Sequence, residues 1–140
     1  METKRSSGMS TKKIVSRLLP AALAALTLPA VAHHSAVMFD DAKEVTVTGT
    51  VKEFQYTNPH SWLLVDVKGA DGKVVTWGFE AEGPSTLTRA GIRKSALQPG
   101  TEITISGHPM KDGRPAAAWT KAMRLSDKKE LIPGAGFAVR

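Results

Sequence analysis

The chain has 140 residues, 41% hydrophobic and 23% charged, with 12 Gly, 8 Pro and no Cys. That length sets an expectation of one domain. The formal charge of +6 is unevenly placed: five of the 19 basic residues (Lys4, Arg5, Lys12, Lys13, Arg17) and one of the 13 acidic ones (Glu2) fall in the first 17 positions, leaving 14 against 12 for the rest. The remainder is too evenly mixed for the basic stripe that phosphate-backbone binding requires, so nucleic acid is not an expected partner.

The basic stretch runs into an uncharged segment, Leu18 to Pro29, closed by Ala30-Val31-Ala32. A positive start, an apolar core and a small-x-small site are the three parts of a secretory signal peptide in their usual order. A stable membrane anchor is disfavoured, because a spanning helix needs about 20 apolar residues and Pro20 and Pro29 interrupt this one. The expectation is export to a bacterial periplasm, with a Gram-positive extracellular protein as the alternative. Cleavage after Ala32 gives a signal peptide over 1–32 and a single domain over 33–140. Without Cys in an oxidising compartment, that domain rests on its core and backbone pairing, and thiol chemistry is excluded.

The segment Glu44–Val51 alternates apolar and polar with Val and Thr dominating, which predicts a half-buried strand with Val45, Val47, Gly49 and Val51 facing the core. Beyond Glu53 the apolar residues become Phe54 and Tyr56, so the register flips, as a β-bulge would make it do. Gly49 fits sharp coiling or a close backbone approach. The turn Thr57-Asn58-Pro59 leads into a second strand, His60–Val67, with Leu63, Val65 and Val67 on one face. A hairpin loop, Gly69–Lys73, has Asp71-Gly72 at its tip. A third strand over Val74–Glu80 sets Val75, Trp77 and Phe79 together as core. Alternation is lost over Pro84–Ile92, which predicts one or two helical turns capped by Ser85 or Thr86 and ended by Gly91. A turn at Leu97–Thr101 enters a fourth strand, Glu102–Gly107. His108–Arg114 is a hairpin loop, and a fifth strand runs from about Ala116 to Leu125 with Trp119, Met123 and Leu125 in core contact. Ile132–Phe137 has no strand pattern.

Three strands, a short helix and two more strands, with a long bent first strand, is the order of an all-β, five-stranded Greek-key barrel of the oligonucleotide/oligosaccharide-binding (OB) type. Another small barrel or sandwich of the same strand count is the alternative. Fold alone assigns no function.

Several elements stand in a distinctive order: His33-His34-Ser35, Phe39-Asp40, Gly49-x-Val51, Asn58-Pro59-His60, Trp77-x-x-Glu80, Pro84-x-x-Leu87, Leu97-x-Pro99-Gly100 and Gly107. Together they resemble the small exported bacterial proteins of domain of unknown function family 6152, over nearly all of the chain beyond residue 32. The resemblance implies export and a small β-domain and brings no mechanism. At Ile92 such proteins often carry an aromatic residue.

All four histidines lie beyond the signal, and His33 would be the new first residue. An N-terminal histidine offers its α-amine and its own imidazole as a chelate, and a second imidazole completes a three-nitrogen brace. Nitrogen sites of this kind hold Cu(II) most tightly among the divalent first-row ions, so copper is the expected cofactor. His60 and His108 are candidates for the remote imidazole. His34 is the poorer one, because adjacent side chains in extended chain point apart. Asp40, Asp41, Glu80 and Glu82 are possible oxygen ligands, although Glu80 and Glu82 on an exposed strand would ordinarily be a solvated face.

Enzyme signatures are missing: there is no Gly-x-Ser-x-Gly elbow, P-loop or dinucleotide fingerprint, and Ser35 beside His34 and Asp40 carries no triad geometry. Trp62 and Tyr56 suggest a ligand groove on the barrel face. The alternative to a copper site is therefore a metal-independent module that binds a neutral ligand, a peptide or a periplasmic protein.

Overall fold

A computed structural model describes residues 38–134. The elements are β1 (Val45–Gln55), β2 (His60–Lys68), β3 (Val74–Glu82), α1 (Pro84–Arg89), a 3-10 turn (Lys94–Ala96), β4 (Glu102–Pro109), β5 (Ala116–Arg124) and β6 (Lys129–Leu131). The sheet order is β3-β2-β1-β4-β5-β6, and a parallel pairing of Gly78, Phe79 and Glu80 with Ala116, Ala117 and Ala118 closes β1 to β5 into a barrel. This is the OB-like architecture expected, with α1 between β3 and β4.

The first strand bends where its pattern flips. The β1–β2 register shifts between Val51 and Glu53, so Lys52 is the extra residue, and the buried positions change from Val51 to Phe54. Lys52 lets one strand serve two neighbours: residues 45–50 pair with β4 and residues 50–55 with β2. Bulges increase local twist, which a small closed barrel needs.

The core is filled from every wall, with Leu63 and Val65 from β2, Phe79 from β3, Ile103 and Ile105 from β4 and Trp119 from β5 all fully buried. Leu87, Ile92 and Leu97 from the α1 region plug one end. Burying each such aliphatic or aromatic side chain is worth about 1.5–3 kcal/mol.

Four expectations change. Helix α1 has Gly83 as its N-cap with no side-chain cap, and Pro84 stands in its first turn. Ser85 and Thr86 therefore lie inside the helix, where the Thr86 hydroxyl accepts from Arg89 instead. The predicted end is correct: Gly91 has φ 78°, and Ile92 N–H returns to the Leu87 carbonyl. Met123 on β5 and Leu125 just beyond its end are only half-buried, while Ala122 is buried. The cause is a second bulge, since Ser106 pairs with Lys121 and Gly107 with Trp119, leaving Thr120 as the extra residue. On β3, Phe79 is buried and Trp77 half-buried against it, but Val75 is exposed. The first half of β3 precedes its three-residue pairing with β5, so little covers Val75. Finally, β6 adds a sixth strand on β5, burying Leu131. Residues 132–134 are irregular as expected.

Candidate functional site

Strand alternation sorts β2 into a core face of Ser61, Leu63 and Val65 and an outer face of His60, Trp62, Leu64 and Asp66. The hairpin register sets His60 opposite Glu82 and Trp62 opposite Glu80. Glu80 is in turn level with Ala118 on β5, and Ala118 with His108 on β4. Trp62, Glu80, Ala118 and His108 thus form one lateral row across four neighbouring strands on the outside of the barrel, because paired residues point to the same face.

This face is covered at one place. Phe39 forms a bridge with Met110, Asp40 N–H donates to the Pro109 carbonyl at 2.8 Å, and Lys111 N–H donates to the Met38 carbonyl at 2.9 Å. Phe39, Met110 and Ala118 make a small apolar cluster outside the main core, with Trp62 and Ala116 packed against it. The first described residues therefore run along the end of β4 and cap the row that contains Glu80.

Glu80 is not a solvated carboxylate; it is 3% exposed, whereas Glu82 is half-buried. Its Oε1 lies 3.4 Å from Nδ1 of His60, whose side chain is mostly enclosed. Carboxylates taken out of water require compensating charge or hydrogen bonds, and an imidazole N–H is such a group.

His108 lies half-buried in the same row, its Nδ1 2.7 Å from the Lys43 carbonyl. A carbonyl oxygen only accepts, so Nδ1 carries a proton in this contact. Trp62 and His108 stand at opposite ends of this row with β3 and β5 between them, and His60 lies two residues from Trp62 along β2, opposite Glu82. Among the described residues no three His, Asp or Glu side chains gather at metal-binding distance.

The other candidates are placed as follows. Asp40 pairs with Lys43 at 2.9 Å, and that bond holds its carboxyl below the usual range; Asp41 is exposed. Tyr56 packs on the main core and its hydroxyl lies 3.0 Å from the Pro84 carbonyl, 2.9 Å from the Ile92 carbonyl and 2.9 Å from the Thr88 hydroxyl. Tyr56 and Trp62 thus belong to different apolar clusters, one inside the barrel and one outside. His33 and His34 lie outside the described residues, as does the whole predicted signal peptide.

From residue order alone Glu80 reads as a possible oxygen ligand or a surface charge. Its pairing with Trp62 follows from the Gly69–Lys73 loop, but its position at the β3–β5 closure, level with Ala118, is not revealed by the loop.

No curated protein matches the chain. A family model matches residues 21–118, a span that contains all four histidines and Glu80. The chain belongs to that family, a family of unknown function, DUF6152.

Proposed function

We propose that this chain is an exported periplasmic binding protein that takes one Cu(II) ion through the amine and imidazole of a processed N-terminal His33 together with the imidazole of His60, with His108 as the substitute ligand. The observation that carries this reading is the course of the chain at Phe39. Phe39 packs in the cluster that includes Trp62, and Trp62 is two residues from His60 on the same outer face.

His33 is five residues before Met38, and an extended chain covers at most about 3.3–3.6 Å per residue. That reach of roughly 17 Å is ample for a terminal histidine to meet a side chain on the covered face. A signal peptide ending at Ala32 supplies the free amine that the brace requires. Three nitrogen donors favour copper over the other divalent ions of the first row.

The test is a Cu(II) titration, followed by electron paramagnetic resonance, of protein exported from the full-length sequence and recovered from the periplasm. The reading expects an intact mass beginning at His33, one equivalent of copper and nitrogen hyperfine structure, with affinity strongly reduced by His60→Ala. A retained Met1, or His60→Ala binding copper as the parent does, would contradict it.

A further inference from the structure

Strand β3 is covered along only part of one edge. Among the described residues β5 pairs with it at Gly78, Phe79 and Glu80, and no strand pairs with Val74, Val75, Thr76 or Trp77 on that side. The direction of their main-chain groups follows from the two ends of this stretch. Gly69 N–H donates to the Lys73 carbonyl at 2.8 Å, so Lys73 faces β2, and Gly78 N–H donates to the Pro115 carbonyl at 3.0 Å, so Gly78 faces β5. Alternation between these points turns the N–H and C=O of Val74 and Thr76 to the open edge. Proteins usually blunt such an edge with lysine, proline or a bulge. This stretch has none of them; it is made of strong strand formers, with Val74 60% and Val75 46% exposed. We propose that the open edge binds a second copy of the chain, β3 against β3, in an antiparallel pair centred on Val75. The proposal goes beyond the copper reading and does not depend on it.

One register uses all of these outward groups. Antiparallel strands exchange both main-chain bonds at every second pair, so outward residues must face outward residues. Setting Val75 opposite the second copy's Val75 does this: Val74 meets the second copy's Thr76, and by the two-fold Thr76 meets the second copy's Val74. A shift of register to the next matching alignment fails in either direction. One way it calls on Gly78, whose N–H is already given to Pro115; the other way it calls on Gly72, which stands in the hairpin loop with φ 80°. The side chains agree with the main chain. The two Val75 residues form a pair without main-chain bonds, the kind in which side chains lie closest. Lys73, an exposed cation, comes level with the second copy's Trp77, whose half-buried ring stacks on Phe79. The ammonium gains an aromatic neighbour, and the two lysines stay apart. A two-fold contact of this kind is closed, so no third copy adds at the same edge.

Sedimentation velocity of protein exported from the full-length sequence, with a chelator present to exclude metal bridging, tests the proposal. The parent should pass from monomer to dimer as its concentration rises to the millimolar range, and amide exchange at Val74 and Thr76 should slow over the same range. Because residue 75 faces its own copy, Val75→Lys and Val75→Glu should each weaken association by at least about tenfold through like charges, while an equimolar mixture of the two should regain it. That rescue is specific to a pairing that sets residue 75 against itself. A parent that stays monomeric, or a Val75→Lys form that dimerises as the parent does, would overturn the proposal, and so would charge variants that fail to associate when mixed. Protection of Val74 and Thr76 that does not vary with concentration would overturn it too, by showing that another part of the same chain covers the edge. If either variant does not fold, the concentration dependence of exchange in the parent decides.

Discussion

Gly49 passes so close to the Asp66 carbonyl that a Cβ on it would lie 2.4 Å from that oxygen and 2.9 Å from Cγ1 of Val65. This approach occurs one residue before Thr50, where β1 passes from pairing with β4 to pairing with β2. Gly49→Ala should therefore force the two backbones apart and cost at least about 1–3 kcal/mol, as overpacking of a tight interior does. Urea denaturation would show it as a lowered midpoint with the slope unchanged. A midpoint equal to the parent's would mean that the strands are not held so closely.

Tyr56→Phe removes a hydroxyl that ties the chain just after β1 to the α1 region, where it donates to the Pro84 or the Ile92 carbonyl and can accept from the Thr88 hydroxyl. The expected cost is about 1–2 kcal/mol, with faster amide exchange in residues 87–92. If Tyr56 served only a ligand groove, the substitution would leave both stability and exchange as they were.

Trp62→Ala strips the half-buried ring from the cluster of Phe39, Met110 and Ala118. A loss of about 2 kcal/mol is expected, below the 3–5 kcal/mol typical of a fully enclosed tryptophan. The metal-independent binding module makes the opposite forecast: a melting temperature near the parent's and loss of a captured partner. Thermal melts alongside pull-downs from periplasmic extract separate the two.

Acid stability should show the Arg124–Asp127 pair. Arg124 donates through Nε to Asp127 Oδ1 at 2.9 Å and through Nη1 to the Ala96 carbonyl at 2.9 Å, fastening the 3-10 turn to the end of β5. The guanidinium lowers the Asp127 carboxyl from 3.8 to about 2. A carboxyl depressed in the folded state stabilises above its unfolded pKa and loses that contribution as pH falls through the folded one. Asp127→Asn should thus lower the melting temperature at neutral pH, with the gap to the parent closing between about pH 4 and 2. A gap that does not change across this range would show that the carboxylate charge contributes nothing.

Much of the barrel is readable from residue order because its devices are local. The flip from Val51 to Phe54 marks the first bulge, and Asp71-Gly72 fixes the hairpin from which every β2–β3 pair follows. The second bulge is hidden because Ala116, Ala117 and Ala118 give β5 little contrast between its faces, so Met123 reads as core in place of Ala122. Strand β6 is hidden for a similar reason: of Lys129, Glu130 and Leu131, only the last is apolar. At the site, the histidines are conspicuous as residue types. The burial of Glu80 is not, because the sheet closes there by pairing β3 with β5, which sets Glu80 level with Ala118, 38 positions away along the chain.

Copper binding by a terminal histidine also requires that the amine and the imidazole belong to the same residue, and proton competition should weaken it on acidification. One inserted Gly between Ala32 and His33 separates the two donors while leaving His33, His34, His60 and His108 in the chain. The decisive measurement is the Cu(II) affinity of the exported parent and of this Gly-extended form, each with its N-terminus verified by intact mass. The brace predicts that the extension weakens binding by more than about tenfold and reduces the nitrogen hyperfine pattern, a larger effect than perturbing a supporting contact alone. Equal affinity and an unchanged spectrum in the two proteins would contradict the brace and leave only surface binding by imidazoles.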